Sequence, residues 1–317
     1  MADAAPDPSS VRFEGPWVHR DVHAGGIRFH LAQAPNAGRN APVMVLLHGF
    51  ADFWWSWRHQ LGPLTDAGYR VLAVDLRGYG DTDKPPRGYD GWTLANDVAG
   101  LIRAHGGSPA TVVGHADGGL VAWATSILHP DLVHAAVSIA APHPIALRRG
   151  ALFERHQRAA LLPSLLSHQL PWRPERVLTR NHGAEVERIV RARCGPAYTR
   201  SDEFDEVCAR MRAAILIPGA AYSTLEYQRW AFRSQFRPDG RRFMAAMDVQ
   251  VAPPVLQIHG QLDPFVLGRP VRESAAFTSY GRIHSVAGVG HYPHWEAPRR
   301  TNDAIVEFLG ALPDRRS

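Results

Sequence analysis

The sequence predicts an α/β fold in which a mostly parallel sheet carries helices on both faces and a helical cap is inserted late in the chain. Three observations lead there. Short continuous apolar runs recur at Val43-Met44-Val45-Leu46-Leu47, Val71-Leu72-Ala73-Val74, Ala110-Thr111-Val112-Val113, Ala135-Ala136-Val137-Ser138-Ile139 and Val255-Leu256-Gln257-Ile258. Each is too short for a helix and too apolar for a strand with one wet face, so each reads as a strand buried on both sides. Helix-length segments separate the earlier runs, and that alternation means right-handed crossovers and parallel pairing. The alternation stops at Ala140-Ala141-Pro142-His143-Pro144 and resumes near Pro253-Pro254. The interval of about 110 residues, rich in Arg, Leu and helix formers, is too long for a structureless loop.

From Pro16 to Ala34 apolar and polar residues alternate around Gly25-Gly26, the pattern of two strands joined by a tight turn. The polar loop 35–41 leads into the first buried strand. Helices are expected at Ser56 to Ala67, Leu94 to His105 and Gly118 to His129, a last strand at Arg282 to Val286, and a terminal helix after it. The division this implies is a core made by residues 1–142 and 251–317, with residues 143–250 as a cap over the carboxyl edge of the sheet, where open α/β sheets bind ligands.

Composition narrows the function. With 317 residues, 45% hydrophobic and 21% charged, the chain can bury a full core, which excludes a disordered or disulfide-stapled protein. The net charge of +5 is carried almost wholly by Arg, with Lys84 the only lysine, and no run of five like charges exists, so nucleic acid is not an expected partner. Residues 1–10 have no leader character and no stretch is long enough to span a bilayer, so a cytoplasmic protein without a transmembrane segment is expected. Cys194 and Cys208 lack metal-ligand spacing and read as inert thiols.

The chemistry gathers at strand ends. The strand at Val112-Val113 runs into Gly114-His115-Ala116-Asp117-Gly118-Gly119 and then into a helix, with small residues two before and two after Ala116. That is a nucleophile elbow. Asp263 follows the strand ending at Ile258, and His291 follows Gly288-Val289-Gly290 past the last strand. A carboxylate there can hold an imidazole tautomer and stabilise the imidazolium, and the imidazole can deprotonate water or a hydroxyl. The sequence His48-Gly49-Phe50 after the first buried strand places the Phe50 N–H to pair with that of Asp117 around a developing oxyanion. Trp54, Trp55 and Trp57 either line an apolar pocket or pack beneath the cap. His294, three residues past His291, does not make a metal site without a third ligand.

Together with His48-Gly49-Phe50 before Trp54-Trp55-Ser56-Trp57-Arg58, Asp75-Leu76-Arg77-Gly78-Tyr79-Gly80 before Lys84-Pro85, Pro142-His143-Pro144, Gly260-Gln261-Leu262-Asp263-Pro264, and Gly290-His291 before Glu296-Ala297-Pro298, this chain resembles the α/β-hydrolase fold, most closely its epoxide-hydrolase branch of mycobacterial type. The resemblance covers about Pro16 to Leu312. It implies a cofactor-free, metal-free hydrolase acting on a small or lipid-like apolar substrate, with epoxide opening by a carboxylate nucleophile as the reaction. It also implies two cap tyrosines that protonate the epoxide oxygen. Those positions fall at His168 and at Gln228, beside Tyr227, which leaves His168, Tyr222 and Tyr227 as donor candidates.

The departure is at the elbow itself, where the resemblance implies Asp, or Ser for an esterase, and the chain has Ala116. Three accounts stand side by side. Asp117 attacks from one residue on; Ala116 replaces an original Asp or Ser; or no covalent nucleophile is used, in an enzyme or in a non-catalytic ligand-binding homologue. Asp117 also has a purely structural role open to it, as a carboxylate in the first turn of a helix.

Overall fold

The computed structural model describes residues 5–36, 38 and 40–313; the outer ends of the two core stretches and positions 37 and 39 of the polar loop lie outside the described residues. β1 (Val18–Ala24) and β2 (Ile27–Gln33) form a hairpin whose turn residues Gly25 and Gly26 have φ of +56° and +78°. Two left-handed positions in a row match the twist of the flanking strands, and glycine takes them without strain. β3 (Val43–Leu47), β4 (Arg70–Val74), β5 (Ala110–His115), β6 (Val133–Ile139), β7 (Val255–Gly260) and β8 (Gly281–Val286) complete one sheet in the order β1-β2-β4-β3-β5-β6-β7-β8. The hairpin and its junction with β4 are antiparallel, and the remaining described pairings are parallel.

The apolar runs are strands because both their faces are covered. Met44, Leu46, Val71, Ala73, Val113 and Val137 point to one side, against Leu61, Leu64 and Phe308. Their neighbours Val43, Val45, Leu47, Leu72, Val74 and Val112 point to the other, against Leu94, Val98, Leu101 and Val121. The helices supplying these partners are α1 (Arg58–Asp66), α2 (Gly91–Ala104), α3 (Asp117–Leu128) and the terminal helix described below. Local caps shift their boundaries from the expected ones. Trp54–Trp57 is a separate 3-10 turn ahead of α1, and α2 starts earlier because the Thr93 N–H donates to the Asp90 side chain.

Between β6 and β7 the described residues form helices and no strand: α4 (Pro144–Phe153), α5 (Arg155–Ser167), α6 (Arg173–Arg193), α7 (Glu203–Ile215), α8 (Ala220–Arg233) and α9 (Pro238–Met247). α6 is broken at residues 180–183, where Asn181 and His182 adopt left-handed φ of +50° and +54°. After β7 come α10 (Gly268–Glu273), α11 (Pro293–Glu296) and α12 (Pro298–Gly310). No helix among the described residues is long and apolar enough to cross a membrane.

The turn from β5 into α3 is the tightest passage in the fold. A Cβ at Gly114 would strike the Gly118 carbonyl oxygen, and one at Gly118 would strike the carbonyl oxygens of Leu47 and His48. The Gly118 N–H donates to the His48 carbonyl at 3.1 Å, tying this turn to the end of β3. Between those glycines Ala116 is held at φ +48°, ψ −113°, a region where a Cβ is strained by about 1–3 kcal/mol. Ala116→Gly should therefore raise stability by about 1 kcal/mol in urea unfolding, whereas Gly118→Ala should lower it by more. An unchanged midpoint for Ala116→Gly would mean that the turn carries no strain.

Candidate active site

Ala116, not Asp117, occupies the strained corner, so the elbow is in its unshifted register, and Asp117 is the first residue of α3. Gly49, approaching the corner closely enough that a Cβ there would lie 3.0 Å from the Ala116 methyl, brings the end of β3 over the turn. The N–H groups of Phe50 and Asp117 flank this corner, and neither donates to a described acceptor. Free N–H groups at such a place have the geometry that oxyanion stabilisation requires.

Asp263 and His291 are brought together. The His291 Nδ1–H donates to Asp263 Oδ2 at 2.7 Å, in an almost completely buried pair. Asp263 Oδ1 accepts the N–H groups of Phe265 and Val266 at 2.8 and 3.0 Å. Burial would raise the Asp263 pKa, but the His291 charge and these donors outweigh it and hold it below its ordinary value. The backbone of His291 is pinned as well, its N–H donating to the Arg193 carbonyl at 2.9 Å and its carbonyl accepting from His115 Nε2 at 2.9 Å. His291 Nε2 is buried with no protein partner. An ordered imidazole with one lone pair left over has the chemistry of a general base.

The side chain of Asp117 meets α8. Gln228 Nε2 donates to both its oxygens at 2.8 Å, so the residue at the expected second cap-tyrosine position holds the elbow carboxylate instead. Burial raises the Asp117 pKa despite Gln228 and the nearby charges of Arg193 and His291. Arg193, at the end of α6, lies 3.7 Å over the Phe265 ring, and Phe265 in turn meets His291 edge-on. Tyr79 completes the surroundings: its hydroxyl is buried facing Thr224, and burial plus the Asp117 charge push its pKa well up. Neither Arg193 nor Tyr79 was singled out from the sequence, although Tyr79 sits just past the end of β4, at the carboxyl edge where ligands bind.

The proton-donor and pocket candidates are placed differently. Tyr227 donates its hydroxyl to the Arg77 carbonyl at 2.9 Å, and Tyr222 is largely exposed with its hydroxyl toward the Pro86 carbonyl. Both lie on α8, and Tyr227 meets the Tyr79 ring edge-on at 5.3 Å. His168 stacks flat on Phe50 at 5.2 Å, and burial together with Arg193 and Arg229 lowers its pKa to about 4, so it carries no imidazolium proton at neutral pH. Trp54 and Trp57 are fully buried, Trp54 donating to the Val11 carbonyl, and Trp55 packs under Arg58. All three indoles are packed in the interior. The thiols of Cys194 and Cys208 are free and shifted up by burial, Cys208 to about 12. Open clefts of about 380 and 510 Å³ lie beside Phe153 and Trp230, away from His291.

Behind the site lies a polar interior that spacing did not reveal. A carboxylate oxygen of Asp52 and one ring nitrogen each of His115 and His294 lie within 4.8 Å of one another, all three residues buried. That set has the composition of a metal site, with His294 turned to Asp52 and His115 instead of His291. Ser56 donates to Asp52 Oδ2 at 2.8 Å and contacts His294 Nε2 at 3.0 Å. Burial raises the Asp52 carboxyl from 3.8 to about 7, against the donors Ser56 and Phe53. Between those two values the folded chain keeps a proton that the unfolded chain has lost, so this group makes stability fall as pH rises through the window. Asp52→Asn should flatten that dependence, its melting temperature gaining on the parent's from about pH 4 to about pH 7. A difference in melting temperature that is constant with pH would exclude the effect.

The comparisons with known proteins agree with this architecture. The profile of the alpha/beta hydrolase fold family matches residues 42–298. The AB hydrolase superfamily protein YfhM of Bacillus subtilis is 32% identical, over 91% of this chain and 96% of its own. Epoxide hydrolase B of Mycobacterium tuberculosis is 30% identical, over 93% of this chain and 99% of its own. The crystal structure of Epoxide Hydrolase A from Mycobacterium thermoresistibile superposes with a TM-score of 0.77 at 25% identity, covering 94% of this chain and 99% of that one. With the strand order, the strained turn and these relatives in agreement, the chain is a member of the alpha/beta hydrolase fold family, on its epoxide-hydrolase branch.

Proposed function

We propose that this chain hydrolyses a small apolar substrate, an epoxide in the first instance, by direct attack of a water molecule that His291 deprotonates. The observation that carries the reading is the buried His291–Asp263 pair with Nε2 unpartnered, in a chain whose elbow residue is Ala116. A methyl group cannot attack, and Asp117 lies one residue past the corner with both oxygens held by Gln228. The base is intact while the covalent nucleophile is missing. A water molecule can fill the space that a longer residue 116 would occupy. The helices of residues 143–250 act in this scheme as a cap on a core formed by residues 1–142 and 251–317, with Phe50, Phe265 and Tyr79 supplying ring surface around the substrate.

In the proposed step the water oxygen bonds to an epoxide carbon while Nε2 takes one of its protons, and Asp263 stabilises the imidazolium. The carbon–oxygen bond of the ring breaks, its electron pair passing to the ring oxygen. That oxygen takes the Tyr79 phenol proton, because an alkoxide is more basic than a phenolate even when burial has raised the phenol's pKa. The imidazolium proton then returns to the phenolate. The balance is one water added and one diol formed, with no cofactor consumed. The N–H groups of Phe50 and Asp117 would serve an ester substrate instead, by stabilising a tetrahedral oxyanion.

The test is turnover of a panel of small epoxides and esters in heavy-oxygen water, with mass analysis of the first-turnover product and of the peptide 114–119. The expected result is label in the product and none in the peptide, with His291→Ala slowing the reaction by about 100-fold or more. Label in Asp117 would restore the carboxylate-nucleophile account, and binding without turnover would make the chain a ligand-binding homologue. Ala116→Asp places a carboxylate at the corner, and the expected outcome is label in the peptide.

A further inference from the structure

The inserted helices carry a surface that the hydrolytic reading does not use. Residues 144–182 contain seven arginines against two glutamates, a surplus of five, and the whole chain has a net charge of +5. The rest of the sequence is balanced, so the basic character of the protein resides on this one stretch. All seven arginines are exposed, whereas the two glutamates are committed elsewhere: Glu154 pairs with Arg269 and Glu175 with Arg229, each at 2.7 Å. The same stretch displays six large apolar side chains. Phe153 is 82% and Trp172 76% exposed, with Leu152, Leu162, Leu166 and Leu170 between 37% and 51%.

The two sets are arranged together. On α5, Arg158, Leu162 and Leu166 are successive i, i+4 positions, and Leu170 prolongs the row past the helix end. Phe153 closes α4 at one end of this row. Trp172 stands at the other with φ of +57°, so a bulky residue is held in a strained conformation with its ring in water. Exposed Trp, Phe and Leu flanked by guanidinium groups form the pattern of a helix that lies in a bilayer interface, where the rings sit at headgroup depth and the cations meet anionic lipid.

We propose that this face docks on an anionic lipid surface. A second copy of the chain is a poor occupant, because a two-fold interface would bring the arginines of one protomer against those of the other. The lipid-facing edge is also the edge over the reaction site. His168, in the turn between Leu166 and Leu170, stacks on Phe50 beside the oxyanion N–H groups. A substrate dissolved in the lipid would therefore reach the site from the docked side.

The experiment is co-sedimentation of the full chain with vesicles of phosphatidylcholine alone, or with about a third of the lipid as phosphatidylglycerol. Binding to the anionic vesicles should be about tenfold tighter or more and should weaken with added salt. Phe153→Ser with Trp172→Ser should lose about tenfold, and Arg155→Glu with Arg158→Glu should erase the preference for anionic lipid. All four side chains are exposed, so an unchanged melting temperature shows that folding is intact. Equal affinity for both vesicles, or wild-type binding by either double variant, overturns the proposal. So does equally tight binding to a soluble polyanion that is insensitive to the Phe153 and Trp172 changes, which would indicate an acidic protein partner. A dimer in sedimentation that dissociates in the Ser variant would make the face an interface between copies. No substrate enters this measurement, so its outcome is independent of the hydrolytic reading.

Discussion

The fold turns on the close approach of the β5–α3 turn to the end of β3. Gly114 and Gly118 allow backbone to lie against backbone, and the Gly118 N–H to the His48 carbonyl fixes the distance. Everything chemical is positioned from that contact. It forces Ala116 into a strained corner, frees the Asp117 N–H at the start of α3, and draws Gly49-Phe50 over the corner from the neighbouring strand. The strain at residue 116 is the cost of projecting a side chain, and the fold still bears it although the side chain is a methyl. The corner keeps this geometry with a methyl as the group it projects.

Around that corner the interior is unusually rich in imidazole, and the protein keeps those rings neutral by burial. His48 is shifted down to about 4, and it donates from Nδ1 to the Gly49 carbonyl while Nε2 accepts the Leu76 N–H. His115 and His294 are pushed well below the ordinary imidazole value, each with burial as the largest cause. His291 differs in having a carboxylate as its hydrogen-bond partner, itself fixed by two backbone N–H groups. The others are structural, spacing loops and strands through bonds to carbonyls and hydroxyls. A ring with a charged partner is equipped to hold a proton transiently, and the buried His30–Asp75 contact at 2.7 Å is a second such pair, farther along the sheet.

The inserted helices supply side chains around that ring. α8 delivers Gln228 to Asp117, α6 delivers Arg193 to the Phe265 face, and the turn after α5 lays His168 on Phe50. These three side chains come from three different parts of the insertion and meet residues at or beside the corner. Burial in a low-dielectric interior strengthens the imidazole–carboxylate pair. The insertion therefore separates its duties by face, with polar contacts turned inward on the site and the unpaired arginines turned outward.

The parallel sheet, its covering helices and the helical insertion were legible in the sequence, because buried strands read as continuous apolar runs and their interruption has a definite length. The approach of Asp263 to His291 was legible in kind, since each follows a strand at the same edge, and strand ends converge there whatever the rest does. The methyl at the elbow position was equally plain in Ala116. Tertiary structure alone decided which way each helix of the insertion turned, placing Gln228 inward and Tyr222 and Tyr227 elsewhere, and it alone stacked His168 on Phe50. It alone also gathered Asp52, His115 and His294, which come from three distant stretches of chain. The physical reason is the same in each case: strand direction is set by local pattern, whereas helix rotation and long-range side-chain meetings are set by packing against partners that the sequence does not name.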